Sequence, residues 1–161
     1  MDDRQKKILS RLERQCARRE YCSHDMLKKA SELLEGDMAA AQEVLDSLLS
    51  GGFVDDRRYA AAFAREKSGL TGWGPVKIRF ALGARRIPAE IIDEALSDID
   101  AGRAGQKLRR LMEAKWKCLD GDPAAKFKLL KYALSRGYDY GQVRSLVEEI
   151  CRQASADGPR L

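Results

Sequence analysis

Two adjacent carboxylates, Asp55 and Asp56, are the first residues in this chain to invite chemistry, because paired acids can exchange protons or hold a metal. Their spacing argues against it. Successive residues on a helix point about 100° apart, and no histidine or third acid sits near them in sequence. An acid at a helix start satisfies free N–H groups and faces the positive end of the helix dipole, so the pair reads as capping. Cys16, Cys22 and the lone His24 are a second temptation. Cys-x5-Cys-x-His matches no common zinc spacing and lacks a fourth ligand, so no metal and no cofactor are expected. The remaining cysteines, Cys118 and Cys151, add no framework spacing, and all four are read as reduced thiols. With no nucleophile–base pair, metal set or phosphate loop, catalysis is not expected.

The chemistry the chain does carry is positive charge in blocks. From Arg57 to Arg86 there are eight basic residues and one acid, and from Arg103 to Arg136 ten and three. Five acids and no base fill Ile87 to Gly102, and five acids and no base fill Asp37 to Asp56. A net charge of +5 thus hides two strongly basic surfaces, which suit an anionic partner. The side chains placed off the apolar stripes of their helices are Arg57, Arg58, Arg65, Lys77, Arg79, Arg85 and Arg86 in the first block. In the second they are Lys107, Arg110, Lys128, Lys131 and Arg136. These are the candidate contacts to a partner or to DNA; simple solvation accounts for some of them equally well. Trp73 lies in a glycine-rich turn, either packed under the loop or exposed as a contact. Trp116, flanked by Lys115 and Lys117, suits a nucleic-acid surface but is read as core.

The elements that must position these residues repeat. At a fixed offset of 51 residues the apolar columns Leu27/Ile78/Leu129, Ala30/Ala81/Tyr132, Ala41/Ile92/Val143, Val44/Ala95/Leu146, Leu45/Leu96/Val147 and Leu48/Ile99/Ile150 recur. The last four columns are spaced i, i+3, i+4, i+7, one face of an α-helix. A register held this long describes one supersecondary unit stacked three times. The fold expected is all-α: three tandem three-helix repeats at 1–51, 52–100 and 101–153, forming an elongated, curved array, with a loose tail at 154–161.

Punctuation agrees. Ser23, Asp37, Asp55, Asp122-Pro123 and Asp139 read as helix starts, and Gly36, Gly51-Gly52 and Gly69 as stops. Pro75 follows the Gly72-Trp73-Gly74 turn at a first helical position, and Pro88 opens another helix. Tyr59 and Phe63 at i, i+4, and Ile78 with Leu82, point to the core. No stretch reads as a strand or as a membrane span. The charged N-terminus has no signal-peptide character, so a cytoplasmic protein is expected, and a repeat that registers internally, with no strand to pair between chains, points to a monomer. The short-looped helix pairs resemble helix-turn-helix units, yet the base-reading positions hold Ala39-Ala40, Ala89-Glu90 and Tyr140-Gly141. Any DNA binding should be weak and without sequence preference.

The segment Phe53-Val-Asp55-Asp56-Arg-Arg-Tyr59-Ala-Ala-Ala-Phe, followed by Gly74-Pro-Val-Lys-Ile78-Arg-Phe-Ala-Leu82 and Ile87, resembles the RecX family of bacterial RecA regulators. The likeness covers about residues 20 to 150 and includes Leu134-Ser-Arg-Gly-Tyr138. One departure is Arg86, where that family usually has glycine. The resemblance implies a non-enzymatic protein that docks in the groove of the RecA–DNA filament and hinders filament growth or strand exchange. That role belongs to DNA repair, recombination and the SOS response. A plain helical nucleic-acid-binding protein would use the same basic surface, and a scaffold for an unrelated partner would use the repeats.

Overall fold

The described residues, 1–157 of the computed structural model, form nine helices and no strand. They are α1 (Asp3–Arg18), α2 (Ser23–Leu33), α3 (Met38–Ser50), α4 (Asp56–Gly69), α5 (Pro75–Ala84), α6 (Ala89–Ser97), α7 (Ala101–Cys118), α8 (Ala125–Ser135) and α9 (Tyr140–Ala156). The all-α repeat class read from the sequence is the one the chain adopts. The third helices begin at Met38, Ala89 and Tyr140, holding the repeat interval, and every residue of the six apolar columns is buried or half-buried. Each fully buried aliphatic side chain among them contributes roughly 1.5–3 kcal/mol. α9 continues to Ala156, so the helix takes in the first positions of the stretch 154–161 expected as a tail. Residues 158–161 lie outside the described residues.

The contacts group into two units. The first comprises Met1–Phe63 with Ala81–Ala95. Its core is Leu12, Met26, Ala30, Leu34, Ala41, Val44, Leu45, Leu48 and Val54, drawn from α1, α2, α3 and the turn that follows. α1 opens with a capping box: the Gln5 N–H donates to Asp2 Oδ1 at 2.8 Å, and the Asp2 N–H donates to Gln5 Oε1 at 2.9 Å. Gln5 is buried, and its Nε2 donates to the Ala40 carbonyl (3.2 Å) and Glu43 Oε2 (3.1 Å), so the cap also ties α1 to α3. Ser23 does not cap α2 as its sequence suggests. Cys22 holds the cap position without a side-chain bond, and Ser23 is the first helical residue.

The second unit comprises Ala64–Phe80 and the chain from Leu96 on. Leu108, Met112, Leu119, Leu129, Ala133, Tyr138, Val143, Val147 and Ile150 form its core, from α7, α8, α9 and their turns. Asp100 and Asp139 cap α7 and α9 through the Arg103 and Gln142 N–H groups. α8 starts later than Asp122-Pro123 implies. Ala124 occupies its cap position, and the Asp122 carboxylate instead accepts from the Ala124 N–H (2.8 Å) and Lys128 Nζ (2.5 Å).

Candidate partner-binding surface

The acidic pair does structural work on two helices. Asp55 Oδ1 accepts from the Arg58 N–H at 3.1 Å, capping α4. Asp56, one residue on, turns to α2: its Oδ1 accepts from the Ser23 N–H at 2.8 Å and its Oδ2 from the Ser23 hydroxyl at 2.5 Å. Both carboxylates are therefore spent on the exposed N–H groups of helix starts. Tyr59, next on α4, is buried and stacks on Phe63 at 5.9 Å. Among the described residues no three His, Cys, Asp or Glu side chains gather as a metal site. Cys22 is fully buried, and that burial pushes its thiol up to about 11, leaving it protonated at neutral pH.

In the first unit the candidate cations are mostly engaged. Arg57 pairs with Glu94. Arg58 donates through Nε to Glu20 at 2.8 Å and through a terminal nitrogen to the Gly52 carbonyl at 3.0 Å, fastening the turn before α4. Arg85 lies 3.6 Å from Asp25, caps the Phe63 ring at 5.2 Å and donates to the Ala81 carbonyl at 3.1 Å. Arg86 is exposed in the left-handed region, with φ 57°. Its N–H donates to the Gly83 carbonyl, and the Ile87 N–H reaches back to Leu82 at 3.3 Å, the 6→1 closure of a Schellman turn. Arginine thus takes up the conformation that glycine favours here, and the turn keeps its geometry.

The second unit carries the other eight. Lys77 places Nζ 4.4 Å from the Trp73 ring and 3.4 Å from the Ser135 carbonyl. Lys67 approaches the same ring at 4.9 Å, so Trp73 is a half-buried wall held by two ammonium groups. Arg79, Arg65, Arg110 and Lys131 are exposed. Lys107 donates to the Gly69 carbonyl at 2.7 Å, Lys128 binds Asp122, and Arg136 is the half-buried C-cap of α8. None of the twelve lies in a core.

Two features escaped the sequence reading. The first is a backbone joint between the Gly74-Pro75 turn and the Ser135-Arg136-Gly137-Tyr138 element. The Gly74 N–H donates to the Arg136 carbonyl at 2.7 Å, and the Val76 N–H donates to the Gly137 carbonyl at 2.9 Å. A Cβ on Gly74 would come within 2.4 Å of the Gly137 oxygen, and one on Gly137 within 2.2 Å of Lys77 Cβ. Ile78 and Leu82, the inward residues of α5, are fully buried. The second is a set of exposed apolar side chains. Val76 and Phe80 lie at i, i+4 on α5, with Phe80 80% exposed, and Phe127 on α8 is 61% exposed beneath Lys131 Nζ at 5.7 Å. Tyr140, at the start of α9, is also open to solvent. Leaving a phenylalanine out of a core forgoes roughly 1.5–3 kcal/mol. Exposed aromatic rings among arginines and lysines are what a partner with anionic groups and flat or apolar surfaces engages.

Residues 55–96 match the family model described as the second three-helix domain of RecX. The chain is 35% identical over 133 residues to the regulatory protein RecX of Chromohalobacter salexigens, covering 80% of this chain and 82% of that one. It is 33% identical over 141 residues to the regulatory protein RecX of Chlorobium phaeobacteroides, covering 87% of each. A crystal structure of a regulatory protein RecX superposes with a TM-score of 0.78 at 20% identity, over 91% of this chain and 72% of that one. The crystal structure of RecX from Lactobacillus salivarius gives a TM-score of 0.74 at 18% identity, over 93% and 98%. At such identities these two structures speak for the helical fold.

Proposed function

This chain belongs to the RecX family of regulatory proteins, and we propose that it regulates a RecA-type recombinase, as an inhibitor that docks on the recombinase–DNA filament without performing catalysis. The observation that carries this reading is the surface of the second unit. There Phe80 and Arg79 of α5, and Phe127 and Lys131 of α8, are exposed. A nucleoprotein filament offers such a surface both phosphates and acidic side chains, and the attraction is collective rather than a matter of single ion pairs. DNA repair and recombination are the processes in which such a regulator acts.

The test is recombinase ATPase activity on single-stranded DNA, with and without this protein. Inhibition that grows with the protein-to-recombinase ratio supports the reading; unchanged ATPase and unchanged strand exchange overturn it. The cationic and aromatic surface also suits a protein that binds nucleic acid on its own. DNA binding in the absence of recombinase, together with no effect on a preformed filament, would favour that second reading.

A further inference from the structure

Within the second unit, a cleft and a small pocket adjoin. The pocket encloses about 150 Å³ and is lined by Trp73, Leu96, Ile99, Tyr138 and Gln142, with Ser68 at its edge. A cavity of that size has room for a flat aromatic ring. Tyr138 is only 5% exposed, and its hydroxyl has no hydrogen-bond partner among the described residues. Burial raises the Tyr138 phenol above its ordinary pKa of 10.0, so at neutral pH it is a neutral donor. A buried polar group without a partner costs about 1–3 kcal/mol, so one that a ligand satisfies rewards binding. The Gln142 amide and the Ser68 hydroxyl add further donors and acceptors to the same small space.

The cleft shares Ser68, Ile99 and Ala104 with the pocket and encloses about 630 Å³. Arg65 of α4 and Arg103, Lys107 and Arg110 of α7 line it, against the carboxylates of Asp98 and Asp100. Asp100 is occupied by the Arg103 N–H of the α7 cap at 3.1 Å, and Lys107 by the Gly69 carbonyl. Arg57, Arg58, Arg85, Arg109 and Arg144 each pair with a carboxylate. Arg65, Arg103 and Arg110 have none among the described residues. Guanidinium groups that make no ion pair in the fold are open to a phosphate, whose oxygens match the guanidinium fork.

From these two halves we infer that the second unit holds a nucleoside-phosphate site, with the base in the Trp73–Tyr138 pocket and the phosphate against Arg65, Arg103 and Arg110. A purely apolar side chain in the pocket would leave the polar groups of Tyr138 and Ser68 desolvated and unpaired; the edge of a base supplies their partners. The inference goes beyond the regulatory reading and stands without it, because a free nucleotide needs no recombinase.

The experiment is a ¹H–¹⁵N NMR titration of the intact protein with AMP, adenosine, inorganic phosphate, a five-residue oligodeoxyadenylate and an acidic peptide. AMP is expected to shift the Trp73 indole N–H and the Gln142 side-chain amide together with the arginine signals of the cleft. Adenosine should bind about tenfold more weakly, as loss of a charged contact implies. Tyr138→Phe should weaken AMP about fivefold, while thermal stability stays equal or rises, since the hydroxyl makes no bond in the fold. Arg103→Ala, a surface change, should weaken AMP and phosphate and leave adenosine unaffected. Tighter binding of the oligomer than of AMP assigns a strand as the source, and equal or weaker binding assigns a free nucleotide; either supports the site. It is overturned if millimolar AMP moves neither Trp73 nor Gln142, if Tyr138→Phe binds AMP as well as the parent, if phosphate alone gives the same shifts, or if the acidic peptide fills the cleft and AMP does not.

Discussion

Arg86 shows how a single position departs from a motif while the backbone does not. Its φ of 57° is the region where an L side chain crowds its own carbonyl, at a cost of roughly 1–2 kcal/mol that glycine avoids. Arg86→Gly should therefore raise stability by about 1 kcal/mol in urea unfolding, less whatever the freer unfolded chain takes back. An unchanged or lower midpoint would mean that the arginine side chain holds the turn. Gly137 is the opposite case. It has φ 91° and lies against Lys77, so Gly137→Ala combines positive-φ strain of about 1–3 kcal/mol with a backbone clash. Unfolding at a markedly lower urea concentration is expected, and a neutral result would show that the joint with Gly74 can open. The departure at Arg86 was visible in the sequence once the family's pattern was laid on it. The partner of Asp56 was not: Ser23 lies 33 residues away, and a tertiary cap leaves no local spacing to read.

For the elements, apolar columns located the second and third helices of each repeat because burial fixes which positions must be apolar. The outer face of α5 was less legible. Ile78, Ala81 and Leu82 claim the inward stripe, yet Phe80 sits between them and is 80% exposed. Nothing in an i, i+4 apolar pair says which side of a helix meets water. Because that face is solvated, Phe80→Ser and Phe127→Ser should change stability by no more than about 0.5 kcal/mol. Both should nevertheless weaken inhibition of recombinase ATPase; folded variants with full effect would remove this face from the partner surface. Charge reversal at Lys77 or Arg85 is a poorer probe, since those side chains pack on Trp73 and Phe63. At the entrance to α8, the Lys128 ammonium, and after it the Ala124 N–H, hold the Asp122 carboxyl below its usual 3.8. A carboxyl lowered in the folded state contributes stability above its unfolded value and loses it as pH falls through the lowered one. Asp122→Asn should thus narrow the stability gap to the parent only on the acid side of ordinary carboxylate titration, as unfolding midpoints measured against pH would report. A gap unchanged down to strong acid would mean that Asp122 acts as a neutral cap.

Over the whole molecule, the blocks of alternating charge were plain in the sequence, and they lead to a prediction about solution conditions. Binding of this protein to single-stranded DNA or to a recombinase filament should fall linearly on a log–log plot against salt, through release of phosphate counterions, and should not depend on base sequence. A flat salt profile, or a footprint on one palindrome, would contradict it. The two-unit grouping was not legible, because the contacts that make it join residues far apart in the chain. The joint at Gly74 is the sharpest instance, and it bears on how the chain is made. The N–H groups of Gly74 and Val76 take their acceptors from Arg136 and Gly137, which leave the ribosome several seconds later at ordinary rates of synthesis. Until then the entrance to α5 has no acceptors for two of its donors. A nascent chain stalled between α5 and α8 would therefore expose that entrance to proteases, and releasing the stall past Gly137 would close it.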